Sequence, residues 1–299
     1  MVNLYRLISV VDADSILDCR FYREIYKAFE NKKDAVLASG HVISIPYNHV
    51  TAYRALEYAS GQYFHKDGQS RVGAILVAAG CASVWKSEVF QSMTYESDTL
   101  IEDMDLTMQV TRRNLGSIIY VKEAIVYTQD PRTYSQYVKQ VHRWWSGTWQ
   151  VIVKHNIPWK IKKIDVYFAV ALIDSFIFAF CIVLFCISSL TYLITSIFNF
   201  RYIPVVASSW SDYFIIWYTK NSEIYIPDMV YGLLIWQCGI ILSSVIMTIL
   251  FIERRRDIII YCPLFIVNIW ISSLVFIWTF FREVIMKKRH GEWFSPTRY

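Results

Sequence analysis

Pro131-Arg-Thr-Tyr-Ser-Gln-Tyr-Val-Lys-Gln-Val-His-Arg-Trp-Trp-Ser-Gly147 is the stretch on which the reading of this chain turns. At helical spacing it has two faces. Tyr134, Tyr137, Val138, Val141, Trp145 and Thr148 recur at steps of three and four, an apolar stripe. Gln136, Lys139, Gln140 and Arg143 recur at the same steps on the other side, and Trp144, Trp145 and Trp149 crowd the C-terminal end. A helix that is basic on one face and aromatic on the other suits a membrane–water interface. A surface helix packed on a domain core has the same periodicity, so the flanking chain has to decide. What precedes the helix reads as soluble; nearly all that follows reads as embedded in a bilayer.

Composition agrees. Of 299 residues, 55% are hydrophobic and 17% aromatic, with only 18% charged, which fits a chain partly in membrane. The net charge of +5 is modest. It gathers near membrane ends, at Lys160, Lys162 and Lys163, at Arg254 to Arg256, and at Lys287 to Arg289. That pattern points to membrane lipids as partners and away from nucleic acid. The cysteines form no Cys-x-x-Cys pair, and Cys181, Cys186, Cys238 and Cys262 fall in apolar segments, as small hydrophobes do.

Leu4 to Val11 is an apolar, β-branched run ended by Asp12-Ala13-Asp14. It reads as a buried parallel strand with two carboxylates at its C-terminal tip, where open α/β sheets bind ligands. Asp12 and Asp14 point the same way if the strand continues, and together can hold a divalent cation that in turn holds a diphosphate. The alternative is a helix N-cap at Asp14-Ser15. Ser15 to Asn31 is expected as a helix, Ala35 to Ile45 as a strand, and Thr51 to Phe64 as a second helix, loosened at Gly61 and Gly68. Val72 to Ala79 reads as a strand. Gly80-Cys81-Ala82 then turns the chain with small residues that let a substrate approach the backbone, although a plain turn fits equally.

Ile101-Glu102-Asp103-Met104-Asp105 opens a helix that runs to about Arg113 and ends at Gly116. Glu102 and Asp105 there are ordinary complements of the helix dipole; the same turn places Asp103 where a general base could face a site. Ser117 to Tyr127 is a further strand. Residues 165–198, 229–252 and 258–281 are long and nearly free of charge, and are expected as three transmembrane helices. The arginine-rich link Glu253 to Asp257 belongs on the cytosolic side, and with it the first soluble region. Asp174 lies within the first span and needs a partner or water.

Asp12-x-Asp14, Gly80-Cys81-Ala82, Glu102-Asp103 and Gln140-x-x-Arg143-Trp144, in that order and followed by membrane helices, resemble the family 2 membrane glycosyltransferases. The words Asp105-Leu-Thr107, Asp130-Pro131 and Trp293 to Arg298 look closest to the poly-N-acetylglucosamine synthase branch. The resemblance implies an α/β fold: a partial GT-A catalytic domain over 1–130, interfacial helices over 131–164, a membrane region over 165–286 and a basic tail over 287–299. It implies a multi-pass protein of the cell membrane with a cytosolic catalytic region. Its activity would be inverting transfer of a sugar, N-acetylglucosamine as first choice, from a UDP-sugar to a growing glycan or lipid-linked acceptor. In that scheme Asp12 and Asp14 hold Mg²⁺ or Mn²⁺, and Asp103 is the base. Glu102 and Gly80 to Ala82 shape the acceptor side, and Gln140, Arg143 and Trp144 secure diphosphate and acceptor.

Two features depart from the family pattern. The triplet usually begins with Thr or Ser where this chain has Ile101. The family's nucleotide-binding half usually precedes the Asp-x-Asp strand, so a second polypeptide supplying that half is an expected partner. A membrane scaffold that keeps the motifs without turnover is the alternative from another class. A small transporter with a cytosolic domain has only Asp174 in its favour.

Overall fold

A computed structural model describes residues 6–95, 98–157, 163–200, 228–252 and 256–287. Residues 201–227 between the first two expected spans, most of the arginine link, and the tail with Trp293 to Arg298 lie outside the described residues.

Five strands, β1 (Leu7–Val10), β2 (Ile16–Leu17), β3 (Ala35–Ser44), β4 (Ser83–Lys86) and β5 (Ser117–Thr128), form one mixed sheet in the order β1-β4-β3-β5-β2. Only β3 and β5 run parallel; the other pairs are antiparallel. The expectation of a buried parallel strand before Asp12 is therefore corrected. β1 is half-buried and pairs antiparallel with β4, because β4 leaves the Gly80–Ala82 turn in the opposite direction.

Helix α1 (Phe21–Asn31) covers one face of the sheet, with Phe21, Ile25 and Phe29 packed on Ala38, Val42, Val121 and Val126. The other face is covered by α5 (Glu102–Arg113), whose Leu106 and Val110 meet Leu37 and Trp85. Side chains alternating across each strand make this two-sided core possible. The helix expected from Ser15 starts later than predicted. Ile16 and Leu17 pair with β5 instead, and Asp18 then accepts from the backbone N–H of Arg20 at 2.9 Å and sets the entry to α1.

Helix α2 (His49–Ser60) is opened by Asn48, whose side chain accepts from the N–H groups of Val50 and Thr51. Gly61 and Gly68 do not loosen the chain. It stays helical through a wide turn, Gly61–Lys66, into α3 (Asp67–Val72), and stops at Gly73 with φ +69°. The strand expected over Val72 to Ala79 is absent; in its place the Leu76 and Ala78 N–H groups bond to the side chains of Gln69 and Thr107. A short helix α4 (Ser87–Gln91) follows β4. Helix α5 ends on Asn114 at φ +53° rather than on Gly116.

The long helix α6 (Tyr134–Lys154) contains the opening stretch. Helices α7 (Lys163–Phe200), α8 (Asp228–Phe251) and α9 (Phe265–Phe280) follow. Two segments, Lys163–Leu184 and Asp257–Ile285, are long and apolar enough to cross a membrane, and Gln237–Phe251 is a shorter apolar helix. Along α7, Val166, Val170, Ile173, Ile177 and Phe180 recur at steps of three and four and are all exposed, the reverse of a soluble core helix. Residues Arg256–Leu264 form a tight 3₁₀ segment containing Pro263, and its Ile258 and Cys262 pack with Tyr53 and Leu56 of α2.

Candidate active site

The centre is the junction of the Gly80–Ala82 turn with the first turn of α5. The Asp103 carboxylate accepts from the Gly80 N–H at 3.1 Å with one oxygen and from the Met104 N–H at 2.8 Å with the other. Thr107, one turn on, accepts from the Ala78 N–H at 3.0 Å and donates to the Asp103 carbonyl at 2.6 Å. One buried hydroxyl thus clamps the chain that leads into Gly80 against the helix that carries Asp103. That is the physical content of the Asp-Leu-Thr word. A methyl group at Gly80 would sit 3.7 Å from Asp103 Oδ2, in ordinary contact. The glycine therefore leaves the carboxylate uncovered from that side.

Burial, and then the charge of Glu102, raise the Asp103 pKa above its ordinary value; the two backbone bonds and nearby Lys66 pull against this. Cys81 beside it stays a thiol. Burial first, then the Asp12 carboxylate, push it up to about 12, with Lys66 opposing and Asp103 adding to the push. Asp12 is therefore in electrostatic reach of the turn.

Lys66 escaped the sequence reading. It is 6% exposed and donates to Ser39 Oγ at 3.2 Å. Burial pulls its ammonium down to about 8 against the attraction of Cys81 and Asp103. Gln62, Lys66 and Gln69 recur at steps of four and three and all are buried, a polar stripe inside a folded helix that the sequence did display.

The Asp-x-Asp pair is not arranged as the strand argument expected. The strand stops at Val10, and residues 12–15 form a turn closed by the Ser15 N–H on the Asp12 carbonyl at 3.0 Å. Asp12 is exposed and Asp14 half-buried, so the two carboxylates do not share a strand face. The helix-cap alternative fails as well, since no helix begins there. Among the described residues, no three His, Cys, Asp or Glu side chains gather as a metal cluster. One exposed carboxylate and its neighbour nevertheless fit an ion that arrives with phosphate oxygens and water and needs only one or two protein ligands.

On α6 the expected faces are corrected. Gln140 was assigned to the polar face but is buried, with its Oε1 lacking a hydrogen-bond partner among the described residues. Val138, assigned to the apolar stripe, is 36% exposed. Helix α6 is sandwiched between α5 and α9 rather than lying on a flat surface, so its buried arc is wide. Tyr137 and Val141 pack with Phe265, and the Trp149 indole N–H donates to Thr279 Oγ1 at 3.2 Å. Arg143 and Trp144 are half-buried. The guanidinium of Arg54, from α2, lies 4.4 Å from the Trp144 ring centre. Among the described residues no hydrogen bond joins Gln140, Arg143 or Trp144 to Asp103; the two groups are linked through packing of α6 on α5.

That packing has three parts. Gly147 meets Ile101 closely. The Gln150 side chain accepts from the Leu100 N–H at 3.0 Å and donates to Glu283 at 3.2 Å. Asp105, expected as a surface dipole complement, is 2% exposed and accepts from His155 at 2.7 Å, Gln109 at 3.0 Å and Lys154 at 3.2 Å. Burial works to raise its pKa; those three bonds overcome this and hold the carboxyl below its usual value. At the far end of α5, Arg112 grips Asp165 at the start of α7 through two contacts, one of 2.8 Å.

Comparison with known proteins places this geometry. Residues 1–147 match the family described as Glycosyltransferase like family 2. Over 144 residues the chain is 29% identical to a protein of Oryza sativa subsp. japonica described as "Probable glucomannan 4-beta-mannosyltransferase 2". The match covers 43% of this chain and 23% of that protein, so the chain spans about a quarter of the relative at most over the matched region. Residues 1–147 are thus similar to the family 2 glycosyltransferase domains.

Proposed function

We propose that the protein is an inverting glycosyltransferase of the membrane that moves a sugar from a nucleoside diphosphate donor to a glycan or lipid-linked acceptor. The observation that carries the reading is Asp103, a half-buried carboxylate of raised pKa, held by the Gly80 N–H at the mouth of a small-residue turn. Asp103 takes the proton from the acceptor hydroxyl. The acceptor oxygen then attacks the anomeric carbon as the bond to the diphosphate oxygen breaks, and the nucleoside diphosphate leaves. One base and one in-line displacement invert the anomeric centre, unlike the paired carboxylates of a glycosidase. Mg²⁺ or Mn²⁺, when bound, would be held by Asp12 with Asp14 and would neutralise charge on the leaving diphosphate. Glu102 and Gly80 to Ala82 border the acceptor. Arg143 meets the diphosphate, Gln140 supports that helix face, and Trp144 offers a ring to a sugar.

UDP-N-acetylglucosamine is our first donor. The name of the rice relative makes a mannosyl donor the second to try. The exposed apolar stripe of α7 supports a lipid-facing helix, and we place the catalytic half on the cytosolic side. The test is release of nucleoside diphosphate by the full chain in membranes. The expected result is metal-dependent release that falls by roughly 10²–10⁴-fold in Asp103→Asn, the range of a positioned base. Release at the wild-type rate in that variant would overturn the assignment.

A further inference from the structure

We propose that Arg54 is a positioning residue for Trp144, fixing the plane of the indole so that its open face serves as the stacking platform for an acceptor sugar ring. The inference rests on the glycosyltransferase reading and extends it to a residue on a different helix. Arg54 is 1% exposed. Its guanidinium carbon lies 4.4 Å from the centre of the Trp144 ring and 4.9 Å from that of Tyr58. Its Nε donates to Asp130 Oδ1 at 3.2 Å, and its Nη1 pairs with Glu57. The Asp130 side chain is 1% exposed and that of Glu57 37%.

Two carboxylates thus fix the plane of a cation that two aromatic rings share. Burying such a cluster is costly, and a well-packed apolar group would serve stability as well or better. What an apolar group cannot supply is a planar cation placed over an indole ring. The cluster also joins three segments: α2 through Arg54, Glu57 and Tyr58, the loop before α6 through Asp130, and α6 through Trp144. Trp144 packs partly against the cluster around Ile101, Met104 and Trp149 yet keeps partial exposure, while Arg54 has almost none, so the ring retains accessible surface next to a buried cation. Flat aromatic rings are suited to the apolar face of a pyranose, and fixing the ring beforehand reduces the ordering cost of binding.

The experiment measures binding of a β-linked N-acetylglucosamine tetrasaccharide to the full chain in detergent micelles, alongside nucleoside diphosphate release. Arg54→Lys keeps the charge and loses the planar guanidinium over the ring. We expect its Kd to rise roughly three- to tenfold, less than the full span of a desolvated cation–π contact because lysine keeps the charge. In a Trp144→Ala background the same change should add nothing. An unchanged Kd in Arg54→Lys, or an equal loss in the Trp144→Ala background, overturns the proposal. If Arg54→Lys does not fold, Glu57→Gln loosens the guanidinium from its more exposed side. It should weaken binding by roughly twofold or more through the same contact, and an unchanged Kd there is equally fatal. Wild-type protein that releases nucleotide without binding the tetrasaccharide overturns the platform and leaves the transferase reading standing. Binding that depends on Arg54 without nucleotide release supports the platform and overturns the transfer.

Discussion

Gly147 of α6 lies against Ile101 so closely that a Cβ placed there would be 2.6 Å from Ile101 Cγ1, 2.9 Å from Cγ2 and 3.1 Å from its backbone nitrogen. Ile101 immediately precedes Glu102 and Asp103, so this contact sets the distance between the helix with the Gln-x-x-Arg-Trp motif and the helix with the base. Gly147→Ala should cost about 1–3 kcal/mol of stability through overpacking, and turnover should fall by more than the loss of folded protein explains. Ile101→Ala removes both γ carbons that the new methyl would strike, and the double variant should recover part of both losses relative to the sum of the single variants. Thermal unfolding and initial rates on the four proteins check this; no recovery would mean that the backbone contact dominates.

Gly80→Ala separates fit from access. A methyl group there stands 3.7 Å from the Asp103 carboxylate, an ordinary contact, so folding should be almost unaffected. The same methyl covers the base on the side of the turn. Rates should fall at least about tenfold, some 1.4 kcal/mol in the transition state, while the melting temperature stays near wild type. A variant that melts low and turns over normally contradicts the role of the turn.

The pH profile tests Asp103 and Lys66 together. A base is active when deprotonated, and the Asp103 pKa is raised by burial and by Glu102. The acid limb of kcat/KM should therefore lie above the ordinary carboxylate value of about 3.9. Lys66 opposes that rise, so Lys66→Met should move the limb to still higher pH, and Lys66→Arg should move it less. Stability gives a second readout. The raised pKa favours the protonated form in the folded state, so this group's stability is present at low pH and lost as pH rises through the folded value. Asp103→Asn should thus melt higher than wild type at neutral pH while losing activity. A lower melting temperature would count against a destabilised carboxylate.

Asp105 predicts the opposite sign. Its pKa is lowered through His155, Gln109 and Lys154, so its stability is present above the unfolded value of about 3.9 and lost as pH falls through the lower folded value. Asp105→Asn should cost about 1–3 kcal/mol at neutral pH by leaving buried donors without their acceptor. His155→Gln should cost less, since Gln109 and Lys154 still engage the carboxylate. Melts at pH 7 rank the two variants, and melts carried down to about pH 2 should show the wild-type advantage over Asp105→Asn fading.

Local signals in the sequence carried much of this. The strand over Ala35 to Ser44 follows from an apolar, β-branched run that is buried along almost its whole length, the start of α5 at Glu102 from its acidic first turn, and the long helix through Trp144 from the spacing of its aromatic residues. What failed was non-local. The run before Asp12 was read as parallel because its apolar character says nothing of which strand it will meet. Val72 to Ala79 reads as a strand because small apolar residues look alike whether their N–H groups meet a neighbouring strand or, as at Ala78, Thr107. Asp105 reads as an ordinary complement of the helix dipole and Gln140 as part of a polar face because the elements that bury them arrive from elsewhere in the chain. Arg54 showed nothing locally, since its meaning comes from Asp130 and Trp144, far along the sequence.

Gln150 accepts from the Leu100 N–H just ahead of the base and donates to Glu283 in the turn that continues α9. A single amide side chain therefore joins the segment carrying Asp103 to the end of an apolar helix long enough to cross a membrane. On the proposed membrane reading, the tilt of such a helix would follow hydrocarbon thickness, and a change of acyl-chain length would be expected to reach Asp103 through Glu283 and Gln150 and to alter the rate of nucleotide release without altering the protein.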